Sequence, residues 1–241
     1  MKILLTRPIN DSIKTADILR QSNIKSVILP FLEIKKYKQN IQQFLSDDIL
    51  MFTSKNGAKL FRCQDNIKKN LAFAVGNETK KKLQQKGFKN IINVDGDLEK
   101  LLKVIKDCLK AGQKIYHPTS NKENQVLKNF FFNLGCNYYA IKCYTSKMIG
   151  ADKKKLEFFM KEKKNLITFF SPLTARSFAK QVIENELKNL CLDNFFLVIS
   201  NKVKKELNNL GKLKIFIPNE PKQSKMIDLI KKISLEKIVG Q

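Results

Sequence analysis

Tryptophan is absent from this 241-residue chain, histidine occurs once, and glycine and proline are scarce at nine and six. Each shortage removes a class of function. No G-x-G-x-x-G or G-x-x-x-x-G-K-[ST] stretch occurs, so dinucleotide-binding and P-loop readings have no specific support. With His117 the only histidine, any Ser-His-Asp, Cys-His or multi-histidine metal chemistry would have to pass through one residue that precedes Pro118 at the end of an expected strand. A histidine placed there is more often packed or solvated than catalytic. The five cysteines, Cys63, Cys108, Cys136, Cys143 and Cys191, are odd in number and form no C-x-x-C pair, so they read as small core hydrophobes, and no metal site is expected. The chain also lacks an apolar run of about 18 residues, which a membrane span would need. Its start, Met1-Lys2-Ile3-Leu4-Leu5-Thr6-Arg7-Pro8, breaks after three apolar residues, whereas a secretory signal needs about 7 to 15. A cytoplasmic protein without a membrane partner is expected.

What is present is a folded composition: 43% hydrophobic residues, seventeen phenylalanines, and a length that allows one large domain or two small ones. The 46 cations against 22 anions leave a net charge of +24. Only Arg7, Arg20, Arg62 and Arg176 are arginines, so the excess is almost all lysine, as an AT-rich coding background produces. Runs such as Lys80-Lys81-Lys82 and Lys153-Lys154-Lys155 sit at helical spacing beside Leu83 and Leu156, as solvated helix faces do. A specific nucleic-acid binder would more often cluster arginines or interleave aromatics, so none is expected. The field would still attract a ligand with several carboxylates or phosphates.

Strand-length apolar runs alternate with amphipathic stretches of helix length. Strands are expected at 2–6, 26–29, 48–52, 71–75, 90–94, 114–117, 166–170, 195–199 and 214–217. Helices are expected at 12–21, 56–62, 78–86, 98–110, 122–134, 151–161, 173–185, 202–210 and 224–233. Such alternation predicts an α/β protein with parallel sheets flanked by helices. Two stretches break the rhythm, Phe31-Lys38 and Tyr138-Met148. Both alternate apolar and polar residues, as a two-stranded ribbon would. The expected plan is two lobes joined by this ladder: residues 1–33 and 149–241 form a discontinuous first lobe, 39–137 a second, and 31–38 with 138–148 the ladder. No helix has an apolar outer stripe, so a monomer is expected.

Parallel sheets bind ligands beyond the carboxyl ends of their strands. The strand-to-helix corners there share a composition of small hydroxyl, amide and glycine residues: Thr6 and Arg7; Thr53, Ser54 and Asn56; Gly76, Asn77 and Thr79; Thr119 and Ser120; Ser171 and Pro172; Ser200 and Lys202. Singly, each reads as a helix cap. Together, six such corners are expected to line a cleft suited to carboxylates.

The order of these motifs resembles the uroporphyrinogen-III synthase family. The matching pieces are Leu4-Leu5-Thr6-Arg7-Pro8, Ile28-Leu29-Pro30-Phe31, Phe52-Thr53-Ser54-x-Asn56-Gly57, Val75-Gly76-Asn77-Glu78-Thr79 with Gly87-Phe88, the Tyr144 segment, Phe169-Phe170-Ser171-Pro172, Ile199-Ser200-Asn201-Lys202-Val203 and the stretch from Pro221 to Met226-Ile227. They run along nearly the whole chain. The resemblance implies two α/β lobes on a two-stranded ladder and a cyclisation without metal or organic cofactor. Linear hydroxymethylbilane, a small molecule with eight carboxylates, loses its terminal hydroxyl, and the last pyrrole ring is inverted through a spiro intermediate before closure. It also implies that Tyr144 is the catalytic proton donor and that the corner residues bind the substrate. A phenol fits that step because it is protonated at neutral pH and can donate to the leaving hydroxyl. The chain departs from the family pattern in having Ser146 two positions beyond the tyrosine, and Ser200-Asn201-Lys202 where some relatives have Gly-Pro-Thr. Two rival readings remain, a non-catalytic two-lobed polyanion binder and a basic RNA-binding protein.

Overall fold

Where apolar residues run without interruption, as in Ile49-Leu50-Met51-Phe52 or Leu166-Ile167-Thr168-Phe169, both faces of a strand must be covered. That is the signature of a central parallel strand with helices on both sides. In the computed structural model, residues 1–39, 43–120 and 124–239 are described. The chain begins with β1 (Ile3–Leu5), α1 (Ile9–Arg20), β2 (Ser26–Ile28) and β3 (Leu32–Lys36). It continues through β4 (Ile49–Phe52), α2 (Lys55–Leu60), β5 (Ala72–Val75), α3 (Asn77–Gln85), β6 (Ile91–Val94), α4 (Leu98–Lys106), β7 (Lys114–Thr119), α5 (Gln125–Phe132) and β8 (Asn137–Lys142). The last part holds β9 (Tyr144–Met148), α6 (Lys153–Lys161), β10 (Leu166–Phe169), α7 (Pro172–Glu184), β11 (Phe195–Val198), α8 (Asn201–Lys205), β12 (Lys214–Phe216) and α9 (Gln223–Val239). Each of the nine expected βα strands is present, eight of them trimmed by a residue or two and the one expected at 114–117 extended to Thr119. The helix expected over 202–210 is interrupted, with α8 followed by a separate 3₁₀ turn at Asn208–Leu210. Lys122, the expected start of another, lies outside the described residues.

The protein is α/β, with two five-stranded sheets and a two-stranded ribbon. The outer unit comprises Met1–Glu33 and Lys147–Gln241, and the middle unit Ile34–Ser146. The outer sheet has the order β12-β11-β10-β1-β2 and the middle sheet β6-β5-β4-β7-β8, with every pairing parallel. Strand order therefore reverses once in each sheet, between β1 and β10 and between β4 and β7. Such a switch point opens a crevice at the carboxyl ends of the two strands. Strands β3 and β9 pair as the ribbon.

One expectation is corrected. The stretch 138–148 is two strands rather than one ladder strand, because β8 pairs in parallel with β7 inside the middle sheet and only β9 joins the ribbon. Cys143 is the handover: its N–H donates to the Thr119 carbonyl on the sheet side, and its own carbonyl accepts from Tyr37 N–H on the ribbon side, each at 2.9 Å. A half-exposed edge strand alternates polar and apolar residues just as a ribbon does, so periodicity alone merges them. The cysteines behave mostly as core: Cys136, Cys143 and Cys191 are buried, Cys63 is half-buried and Cys108 exposed. Burial pushes the Cys143 thiol up to about 12, so it stays neutral.

Candidate active site

In the middle unit the β4/β7 switch is built around hydroxyl groups. Ser54 takes the extended conformation of a helix cap (φ −150°, ψ 145°), and its Oγ accepts the Gly57 N–H at 3.0 Å. The same oxygen lies 2.9 Å from Tyr144 Oη. Tyr144 is the first residue of β9, and its ring packs in the cluster that holds Phe52, Phe61 and Tyr116, leaving 7% of the residue exposed. Gly57 explains how closely these elements approach, since a Cβ there would stand 2.3 Å from the Pro118 carbonyl oxygen of β7.

One residue before Ser54, Thr53 Oγ1 lies 2.8 Å from His117 Nε2, and His117 Nδ1 lies 2.7 Å from Tyr138 Oη. Burial, with water unable to solvate an imidazolium, pushes the His117 pKa down to about 4, so the ring is neutral at pH 7. This three-residue chain ties β4 to β7 and β8. Sequence reasoning set His117 aside and did not consider Tyr138. The available signal was a histidine at a strand end in register with a hydroxyl-bearing corner.

The other middle-unit corner residues divide by exposure. Asn56, Thr119 and Ser120 are partly exposed. Gly76 takes φ +79° ahead of α3, a conformation that favours glycine, and the exposed Asn77 accepts from Asn93 Nδ2 at 2.9 Å. Thr79 is buried on the inner side of α3 and offers no open surface.

In the outer unit the β1/β10 switch is closed by threonines. Thr6 Oγ1 donates to the Thr168 carbonyl at 2.6 Å, and Thr168 Oγ1 donates to the Leu4 carbonyl at 2.8 Å. Thr6 is fully buried and its hydroxyl proton is used between the strands, which gives it a stapling role in place of the expected ligand contact. Beside it, the Arg7 guanidinium carbon sits 4.4 Å from the Phe170 ring centroid and its Nη2 3.3 Å from Asp11 Oδ2. Ser171 caps α7 by accepting the Thr174 N–H at 3.2 Å and bonds the Thr174 hydroxyl at 2.7 Å, with Pro172 at the first helical position. Ser200 stands in the extended cap position before α8 without making a side-chain cap bond, and Lys202 is exposed. Among the described residues, no group of three or more His, Cys, Asp and Glu side chains is placed to hold a metal ion, and no helix is long and apolar enough to cross a membrane.

Comparison with known proteins decides the family. The profile of uroporphyrinogen-III synthase HemD matches residues 13–228. The chain belongs to the uroporphyrinogen-III synthase family. A Methanocaldococcus jannaschii protein, whose name provisionally makes it a uroporphyrinogen-III synthase, is 29% identical over 245 residues, covering 96% of this chain and 98% of its own. The crystal structure of uroporphyrinogen-III synthetase from Helicobacter pylori superposes with a TM-score of 0.61 at 16% identity, covering 96% of this chain and 98% of that one. A mutant uroporphyrinogen III synthase from Thermus thermophilus gives 0.57 at 12% identity, covering 98% and 99%. At such identities these two structures support the family's fold.

Proposed function

We propose that this protein cyclises hydroxymethylbilane to uroporphyrinogen III, with inversion of the terminal pyrrole ring and loss of water. The observation that carries the reading is the family match across residues 13–228, joined to a tyrosine that the fold delivers onto a capping serine. In the proposed step the C–O bond to the terminal hydroxyl breaks, the Tyr144 phenol gives its proton to the departing oxygen, and water leaves an azafulvene cation. Carbon–carbon bond formation through the spiro intermediate then closes the ring, and the pyrrole proton lost on rearomatisation restores the phenol. Ser54 suits a supporting part. Its Oγ already accepts from Gly57, so its own O–H is available to donate to Tyr144 Oη, leaving the phenol proton for the substrate.

Arg7, Ser171, Pro172, Ser200 and Lys202 in the outer unit, and Thr53, Asn56, Gly76, Asn77, Thr119 and Ser120 in the middle unit, are proposed to contact acetate and propionate groups. The net charge of +24 favours capture of an eight-carboxylate substrate. A cytoplasmic monomer belongs to the same reading, and sedimentation equilibrium tests the second half of it. The deciding experiment is turnover of freshly generated hydroxymethylbilane with isomer analysis. Type III product is expected, and formation of only the symmetrical type I macrocycle, the uncatalysed outcome, rejects the proposal.

A further inference from the structure

His117 is the chain's one histidine, and both its ring nitrogens are engaged inside the middle unit, Nδ1 with Tyr138 Oη at 2.7 Å and Nε2 with Thr53 Oγ1 at 2.8 Å. A neutral imidazole carries a single N–H, so one neighbouring hydroxyl donates to the ring and the other accepts from it. A phenol, ordinarily titrating near about 10, is a far stronger acid than an aliphatic hydroxyl, and the better donor takes the bare nitrogen. Tyr138 then donates to Nδ1, and Nε2–H donates to Thr53 Oγ1. That fills an acceptor position on Thr53 and commits its own hydroxyl proton to some other group. Thr53 is partly exposed at the corner, one residue from Ser54.

We infer that His117 is a positioning residue: with Tyr138 behind it, it holds Thr53 as a hydrogen-bond donor to a substrate carboxylate at the β4/β7 switch point. The ligand class follows from the direction of the bonds, because the group facing Thr53 must accept, and an ionised carboxylate only accepts. The identity of that ligand rests on the cyclase reading, whereas the direction of the bonds does not.

Because the chain has a single histidine, nitrogen-15 labelling of histidine yields one pair of ring signals that identifies the protonated nitrogen. The Nε2–H form is expected at neutral pH in the free protein, and the Nδ1–H form overturns the arrangement. In turnover, Thr53→Val should raise KM for hydroxymethylbilane about tenfold with kcat within about twofold, and Thr53→Ser should restore it. Tyr138→Phe removes the donor to Nδ1 and should raise KM about threefold or more while the labelled ring loses its preference between nitrogens. Urea midpoints establish that each variant is folded. An unchanged KM in folded Thr53→Val or Tyr138→Phe would show that the bonds are merely structural. If the unaltered chain makes no type III product, the cyclase reading fails and the carboxylate with it, whereas the wrong tautomer alone defeats only the role of His117.

Discussion

After β10, Ser171 caps α7 and bonds the hydroxyl of Thr174, so the whole motif closes within one helix turn. After β4, Ser54 makes the same cap to Gly57, but its remaining capacity goes to Tyr144, ninety positions along the chain. The residue three beyond the cap decides the difference. Thr174 has room for a side chain that competes for the serine, while Gly57 has none because the Pro118 carbonyl occupies the place of a Cβ. The two switch points also differ in charge. The outer one carries the Arg7 guanidinium against Phe170 and Asp11, and the middle one carries neutral hydroxyls and a neutral imidazole. Two parallel sheets of different strand order thus present different side chains at their switch points: an arginine–carboxylate pair against a phenylalanine ring in one, and neutral hydroxyls around a neutral imidazole in the other.

The strongest test of that division is Tyr144→Phe. The ring and its packing remain and the donor goes, so kcat should fall by about 10² to 10⁴ with product affinity nearly unchanged. Retention of more than about half the rate, with chemistry limiting, would reduce the Ser54–Tyr144 contact to a strut. The buried ring makes Tyr144→Ala a useful contrast, since it should cost about 3 to 5 kcal/mol of stability and lose activity and folding together.

Acid should weaken the middle unit through His117. Folded His117 has a pKa of about 4, and an unfolded histidine titrates near about 6.5, so below pH 6.5 the unfolded chain takes up a proton that the fold refuses. The stability associated with this ring is therefore fully present above about pH 6.5 and falls by about 3 kcal/mol in all as pH drops toward 4. Urea midpoints across that range should slope more steeply for the unaltered protein than for His117→Gln. Parallel slopes would show the ring to be solvated.

Gly57→Ala drives a methyl against a backbone carbonyl that cannot swing aside, and should cost about 3 kcal/mol. In the outer unit Thr174→Ala leaves the backbone cap intact and removes one exchangeable hydroxyl bond, a loss of about 1 kcal/mol. Equal effects in chemical denaturation would erase the contrast between the corners. Ser171→Ala removes the cap together with that hydroxyl bond and should cost about 0.5 to 2 kcal/mol with isomer choice intact, and loss of type III fidelity at unchanged stability would assign that hydroxyl to shaping the substrate.

Much of this architecture is legible in the order of residues. Uninterrupted apolar runs announce buried parallel strands, and Ser-x-x-Gly or Ser-Pro after such a run announces a helix start, because strand burial and cap formation depend on neighbours within a few positions. That local reach accounts for the nine βα strands and for Ser54 and Ser171 as caps. Tyr144 is singled out by the family resemblance alone, since the alternating pattern puts it inside one strand over 138–148. The same reach fails at Tyr138–Met148, where β8 and β9 share one alternating pattern, and at Thr6, whose hydroxyl looks available until Thr168 is seen beside it.

Composition and periodicity by themselves determined the α/β class and the hydroxyl character of the corners. Only the tertiary structure decided which hydroxyls are used up and which are passed on. Ser54 meeting Tyr144, His117 held between Thr53 and Tyr138, and Gly57 pressed against Pro118 all join residues from different crossovers. Hydrogen bonds act over about 3 Å, and a linear pattern carries no information about which strand ends the sheet order brings within that distance.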